Sequence, residues 1–106
     1  MPFLVQRFTR EPLANPKLAE RVPNGVLHEL KRFHFDTAQA AHVHAMASLT
    51  RLVDASHIVF GTDFPFRTSA DHVQGLAECG CFSKEDLAAI DYRNVERLLG
   101  DRATAA

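Results

Sequence analysis

Residues His57–Phe66 read HIVFGTDFPF. In an extended chain Ile58 and Phe60 fall on one side, and Val59, Gly61 and Asp63 on the other. Proline cannot donate to a sheet ladder, so Pro65 ends the run. The pattern predicts a strand over His57–Thr62 that carries Asp63 into the loop behind it. In barrels of parallel strands, catalytic groups sit at that C-terminal end. Gly61 leaves room beside the carboxylate for a ligand or a neighbouring backbone. A simpler role for Asp63 is to end the strand or accept a turn amide, a common task for aspartate. Both readings stand at this point.

Upstream, Lys31–Asp36 also alternates, with Phe33 and Phe35 on one face and His34 and Asp36 on the other, which predicts a second strand. Between the two, Met46, Leu49, Thr50 and Val53 form one apolar stripe and predict a helix from about Gln39 to Val53. Strand starts at Lys31 and His57 lie about 26 residues apart, the spacing of a βαβ unit with parallel strands. Such a pair leaves both edges open and needs neighbours. If the strands are adjacent, His34 and Asp36 approach Asp63, where either could orient a ligand or hold a proton. A hydrogen-bonded aspartate with a structural role is the simpler reading of Asp36.

The flanks read as helices. Leu4 and Phe8 give Pro2–Thr9 one apolar face. Asn15-Pro16 caps and opens a helix to about Arg21, and Pro23-Asn24-Gly25 turns the chain. Thr68 with Asp71, and Ser83 with Asp86, have capping-box spacing; the first opens a helix to about Glu78. Asp91 is placed to cap a last helix, Tyr92–Leu99, with Gly100 as its stop. Residues 1–101 are expected to form one domain and 102–106 a disordered tail.

With 106 residues the chain has room for one small domain and not for a whole (β/α)8 barrel, which takes about 250. A formal net charge of −1 and scattered arginines argue against a nucleic-acid surface. No apolar run is long enough for a bilayer, and no signal peptide is visible, so no membrane partner and a cytoplasmic location are expected. Cys79 and Cys81 read as two reduced thiols near a helix end. His42-Val43-His44 falls in the helical stretch, where residues two apart do not share a face, so surface histidines are the reading. His28, His57 and His72 have no partner at ligand spacing.

Several blocks, in order, resemble the C-terminal part of the amidohydrolase-related family, the metal-dependent hydrolases and decarboxylases of the aminocarboxymuconate-semialdehyde decarboxylase type. Pro2-Phe3-Leu4 with Arg7 is similar to the stretch behind the family's His-x-Gly-Gly element, and Leu30–Ala38 (LKRFHFDTA) to its seventh strand. His57–Phe66 resembles the eighth strand with its Gly-Thr-Asp-[Tyr/Phe]-Pro signature, and Tyr92–Leu99 (YRNVERLL) the closing helix, with Val95 in place of the usual alanine. The resemblance implies an α/β fold, the C-terminal portion of a TIM (β/α)8 barrel contributing two parallel strands with flanking helices. It implies an enzyme that holds one divalent ion, commonly zinc, and hydrolyses or decarboxylates small carboxylic acids. Asp63 then maps onto the strand-eight catalytic aspartate, a metal ligand, with Asp36 and His34 behind it. The family's His-x-His pair, its strand-five histidine and the His-x-Gly-Gly histidine have no counterpart in this sequence. The chain alone is therefore expected to bind no metal tightly and to turn over no substrate. It would need a missing N-terminal segment, or self-association, to complete the barrel. The rival expectation is a non-catalytic remnant, or an interaction module that pairs through open strand edges.

Overall fold

The structure is a computed structural model that describes residues 4–100, side chains of 11–14 excepted. Pro2 and the 102–106 tail lie outside the described residues. The chain divides into two compact units, meeting between Phe33 and His34.

The first unit holds three helices, α1 (Val5–Ala14), α2 (Pro16–Arg21) and α3 (Val26–Arg32). The expected first helix therefore runs five residues beyond Thr9. The Asn15 side chain accepts from the Lys17 N–H at 3.1 Å, and Pro16 opens α2 where its missing N–H costs nothing. Gly25 turns the chain into α3 at φ 90°, a backbone conformation that glycine adopts freely. Lys31 and Arg32, expected in a strand, close α3 instead. Val26, Glu29 and Leu30 form the helix's covered stripe, with Leu30 buried. That helical period extends through Arg32 and outweighs the two-residue alternation of the phenylalanines.

The second unit carries the strands. β1 (Phe35–Asp36) and β2 (Ile58–Val59) pair in parallel, Phe35 opposite Ile58 and Asp36 opposite Val59. Helix α4 (Val43–Leu52) and a 3-10 turn, Ala55–His57, lie between them. The architecture is thus mixed, helices with a two-stranded parallel sheet, in the order expected for a βαβ unit. Both strands are shorter than expected, because the chain leaves ladder geometry on either side. Helix α4 starts at Val43 rather than near Gln39, since Gln39 has φ 56° and His42 is the N-cap. Met46, Leu49, Leu52 and Val53 are buried with Ile58, Leu76 and Ile90 and form the core. Each such side chain contributes about 1.5–3 kcal/mol on burial.

Thr68 and Ser83 cap as expected. The Thr68 hydroxyl accepts from the Asp71 N–H and opens α5 (Ser69–Glu78). Ser83 and Asp86 form a reciprocal capping box that opens α6 (Lys84–Ala88). Asp91 starts no new helix. The chain continues from α6 through a π-helical turn, Ala89–Arg93, into α7 (Asn94–Leu99). The Asn94 N–H, which would bond the Ile90 carbonyl in a regular helix, reaches Ala89 instead, and the Ile90 carbonyl accepts from the Phe60 N–H at 3.0 Å. The π turn thereby ties the last helix to the chain leaving β2. Gly100 ends α7 at φ 57°. Cys79 and Cys81 are free thiols, and Cys79 is the C-cap of α5. No helix among the described residues is long and apolar enough to cross a membrane.

Candidate functional site

The loops that leave β1 and β2 lie side by side at the C-terminal end of the sheet. Thr37, fully buried, joins them: its hydroxyl donates to the Gly61 carbonyl at 2.8 Å and accepts the Gly61 N–H at 3.1 Å. This side chain continues the pairing after the Thr37 N–H has bonded the Val59 carbonyl. Gly61 is held close to the neighbouring loop, and a Cβ there would stand 3.1 Å from the Cβ of Asp36. The room that glycine leaves is filled by Asp36, whose carboxylate accepts from the Ala38 N–H at 2.8 Å.

Asp63 and Gln39 stand at the tips of these loops. Both have positive φ, 62° and 56°, and neither is glycine. Residues held in this region each cost about 1–3 kcal/mol, and such strain clusters at functional sites. The Gln39 side-chain amide donates to the Asp63 carboxylate across the gap between loops. The Gln39 backbone N–H donates to Nε2 of His72 at 2.9 Å, and Nδ1 of His72 bonds the Thr68 carbonyl at 2.9 Å. Because Nε2 accepts, the ring carries its proton on Nδ1. His72 is only 3% exposed and fixes Gln39 to the start of α5.

The opposite end of the sheet has a different set of residues. His34 stacks on His57, with ring centroids 4.6 Å apart and planes at 20°. Burial, then the neighbouring His57 and Arg97, lowers the pKa of His34. Asn94, 1% exposed, donates to the carbonyls of Ala55 and Ile58 at 2.6 and 2.7 Å. Arg97 donates to the Ser56 carbonyl and to Oδ1 of Asn94. Asp54 accepts from both the hydroxyl and the N–H of Ser56, and these bonds lower its pKa.

Of the three side chains singled out in the sequence, Asp36 and Asp63 lie on the paired strand-end loops. His34 sits opposite His57 at the strand starts and is not joined to Asp63. Among the described residues no three His, Cys, Asp or Glu side chains come together as a metal site would require. The described residues do not by themselves fit a zinc centre. His42 and His44 are exposed, their rings 6.0 Å apart and tilted, and Nδ1 of His42 caps α4.

Sequence reading missed Gln39, His72 and Asn94 as architects of this end-to-end arrangement. Gln39 lay inside a predicted helix, and His72 had no ligand-spaced neighbour; both act through contacts across 24 or more residues of chain. Asn94 was visible within the closing-helix block, though its two carbonyl partners were not. Set against known proteins, the chain matches no family model, no curated protein and no solved structure.

Proposed function

We propose that this chain is the C-terminal part of a metal-dependent amidohydrolase-related (β/α)8 enzyme, one that hydrolyses or decarboxylates small carboxylic acids. β1 and β2 serve as the seventh and eighth strands, and the protein works in the cytoplasm. The observation that carries the reading is the place of Asp63, an exposed carboxylate at positive φ just beyond the C-terminal end of a parallel strand. That end holds the catalytic groups of parallel barrels. Asp63 is one ligand of a divalent metal, commonly zinc, whose other ligands come from strands outside this chain. Asp36 keeps the loop in place behind it. By itself the chain is inactive.

The DNA upstream of the Met1 codon tests this. The expectation is an open frame encoding His-x-Gly-Gly, with His-x-His well before it. The longer product should hold stoichiometric zinc and lose it in Asp63→Ala with the fold retained. An upstream region without these elements, or zinc that survives the substitution, would sink the proposal. A second reading, a non-catalytic remnant or a module pairing through its strand edges, draws on one observation: the second unit has its own buried core around Ile58, Leu76 and Ile90. A zinc-free monomer that melts cooperatively favours the remnant, and obligate pairing favours the module.

A further inference from the structure

The start of α5 and the loop before α4 border an open cavity of about 180 Å³ lined by Gln39, Ala41, His42, Arg67, Asp71 and His72. We infer that this cavity binds a small monocarboxylate carrying an adjacent hydroxyl or amine, with Arg67 as the residue that selects it. The inference deepens the function proposed above and rests on it for the link to catalysis, because an enzyme acting on small carboxylic acids needs a group that recognises them.

Size, charge and position each contribute. Sites for drug-sized ligands span roughly 300–1,000 Å³, so this one suits a ligand of a few heavy atoms. The Arg67 guanidinium makes no hydrogen bond or ion pair among the described residues. Its planar fork of donors matches a carboxylate in two parallel bonds. Asp71 lines the same cavity without pairing to Arg67. Its negative charge disfavours a doubly charged anion such as phosphate more than a singly charged one. It also offers an acceptor to an N–H or O–H beside the ligand's carboxylate. His72 has both ring nitrogens engaged, so it serves as a wall. Gln39 belongs to the wall and also holds Asp63, so the cavity and the strand-end carboxylate share one residue.

The test is a titration of the intact, metal-free chain with glycolate, acetate and inorganic phosphate, read by the NMR shifts of the Gln39 amide and the Arg67 side-chain N–H. Glycolate should bind saturably, more tightly than acetate, and phosphate least. Arg67→Gln should weaken glycolate by at least about tenfold, the lower end of what a charge-assisted pair contributes. Arg67 is exposed and makes no bond among the described residues, so this variant keeps the fold, which its unchanged remaining spectrum would verify. Asp71→Ala, which removes both the acceptor and the charge, should erase the preference for glycolate over acetate and tighten phosphate. Shifts that fail to saturate, that persist unchanged in Arg67→Gln, or that phosphate produces as readily as glycolate would overturn the inference. Because the zinc test needs the longer product and this one needs only the present chain, each proposal can fail without the other.

Discussion

The two ends of the β1–β2 pair use polar groups in opposite ways. At the strand starts, Asn94 and Arg97 reach across about 40 residues of chain to satisfy the carbonyls of Ala55, Ser56 and Ile58. Asn94 is buried, and its bonds have good lengths. At the strand ends, Gln39 and Asp63 hold strained backbone conformations, Arg67 has no partner among the described residues, and Phe64 and Phe66 are each 78% exposed. One end spends its polar groups on holding the chain. The other ties its loops together through Thr37 and His72, leaves Asp63 and Arg67 exposed beyond them, and tolerates strain. Parallel barrels divide the same way, with stability read from the N-terminal face and chemistry from the C-terminal face. The contrast predicts that substituting the buried Asn94 costs stability and that substituting the exposed Asp63 does not.

Asn94→Ala should show the largest effect. It removes the bonds to the Ala55 and Ile58 carbonyls and the Arg97 contact; the Ala55 carbonyl keeps the Ile58 N–H, and the buried Ile58 carbonyl loses its side-chain donor. Leaving that acceptor unsatisfied costs about 1–3 kcal/mol, and the lost bonds to the Ala55 carbonyl and Arg97 add to it. A loss of about 3 kcal/mol lowers the melting temperature by roughly 10–25 °C in a domain of this size. A shift of only a degree or two in thermal melts would mean that the strand starts do not anchor the fold, and the comparison would collapse.

A smaller effect tests the same end through pH. His34 has its pKa lowered by burial, by His57 stacked on it and by Arg97, while Asp54 is the nearby negative group, itself drawn down by Ser56. A histidine with a depressed folded-state pKa takes up its proton more readily when unfolded. Its contribution to stability is therefore intact above the ordinary value of about 6.5 and is lost as pH falls below it. Asp54 behaves likewise at lower pH, its contribution intact above the ordinary aspartate value of about 3.9 and lost as pH falls through the folded one. The two windows separate. His34→Phe keeps a stacked ring without the charge and should flatten the change in melting temperature between pH 7.5 and 5.5, leaving the more acidic loss in place. An unaltered slope between those pH values would show that His34 carries none of it.

How much of this was legible follows from how far each interaction reaches. Asn15, Thr68 and Ser83 cap helices through bonds spanning two or three residues, and their spacing announced them. The parallel pairing followed from strand–helix–strand order. The lengths of the strands did not, because helix α3 competes for Lys31 and Arg32, and the Ala55–His57 turn holds His57 outside the ladder. The π turn at Ala89–Arg93 was equally hidden. Asp91 has the composition of a cap, and only the Phe60 N–H waiting on the Ile90 carbonyl explains why the helix runs through it. Asp63 was found from its motif. The bond from Gln39 and the positive φ of both residues depend on two loops meeting, which no local pattern encodes.

Asp63→Asn gives the smallest expected change in stability and the sharpest view of the strand ends. Asparagine is among the residues that best tolerate positive φ, so the backbone at 62° suits it as well as aspartate. Its side-chain oxygen still accepts from the Gln39 amide; only the charge is lost. Asp63 is exposed, and substitutions on the surface that keep such features usually fall within about 0.5 kcal/mol. Denaturant midpoints of the two chains should therefore nearly coincide. A loss above about 1.5 kcal/mol, well outside that range, would make the Asp63 carboxylate a structural anchor like Asn94. A near-coincidence means that the charge at the strand end contributes little to holding the fold, as expected of a carboxylate kept for a ligand.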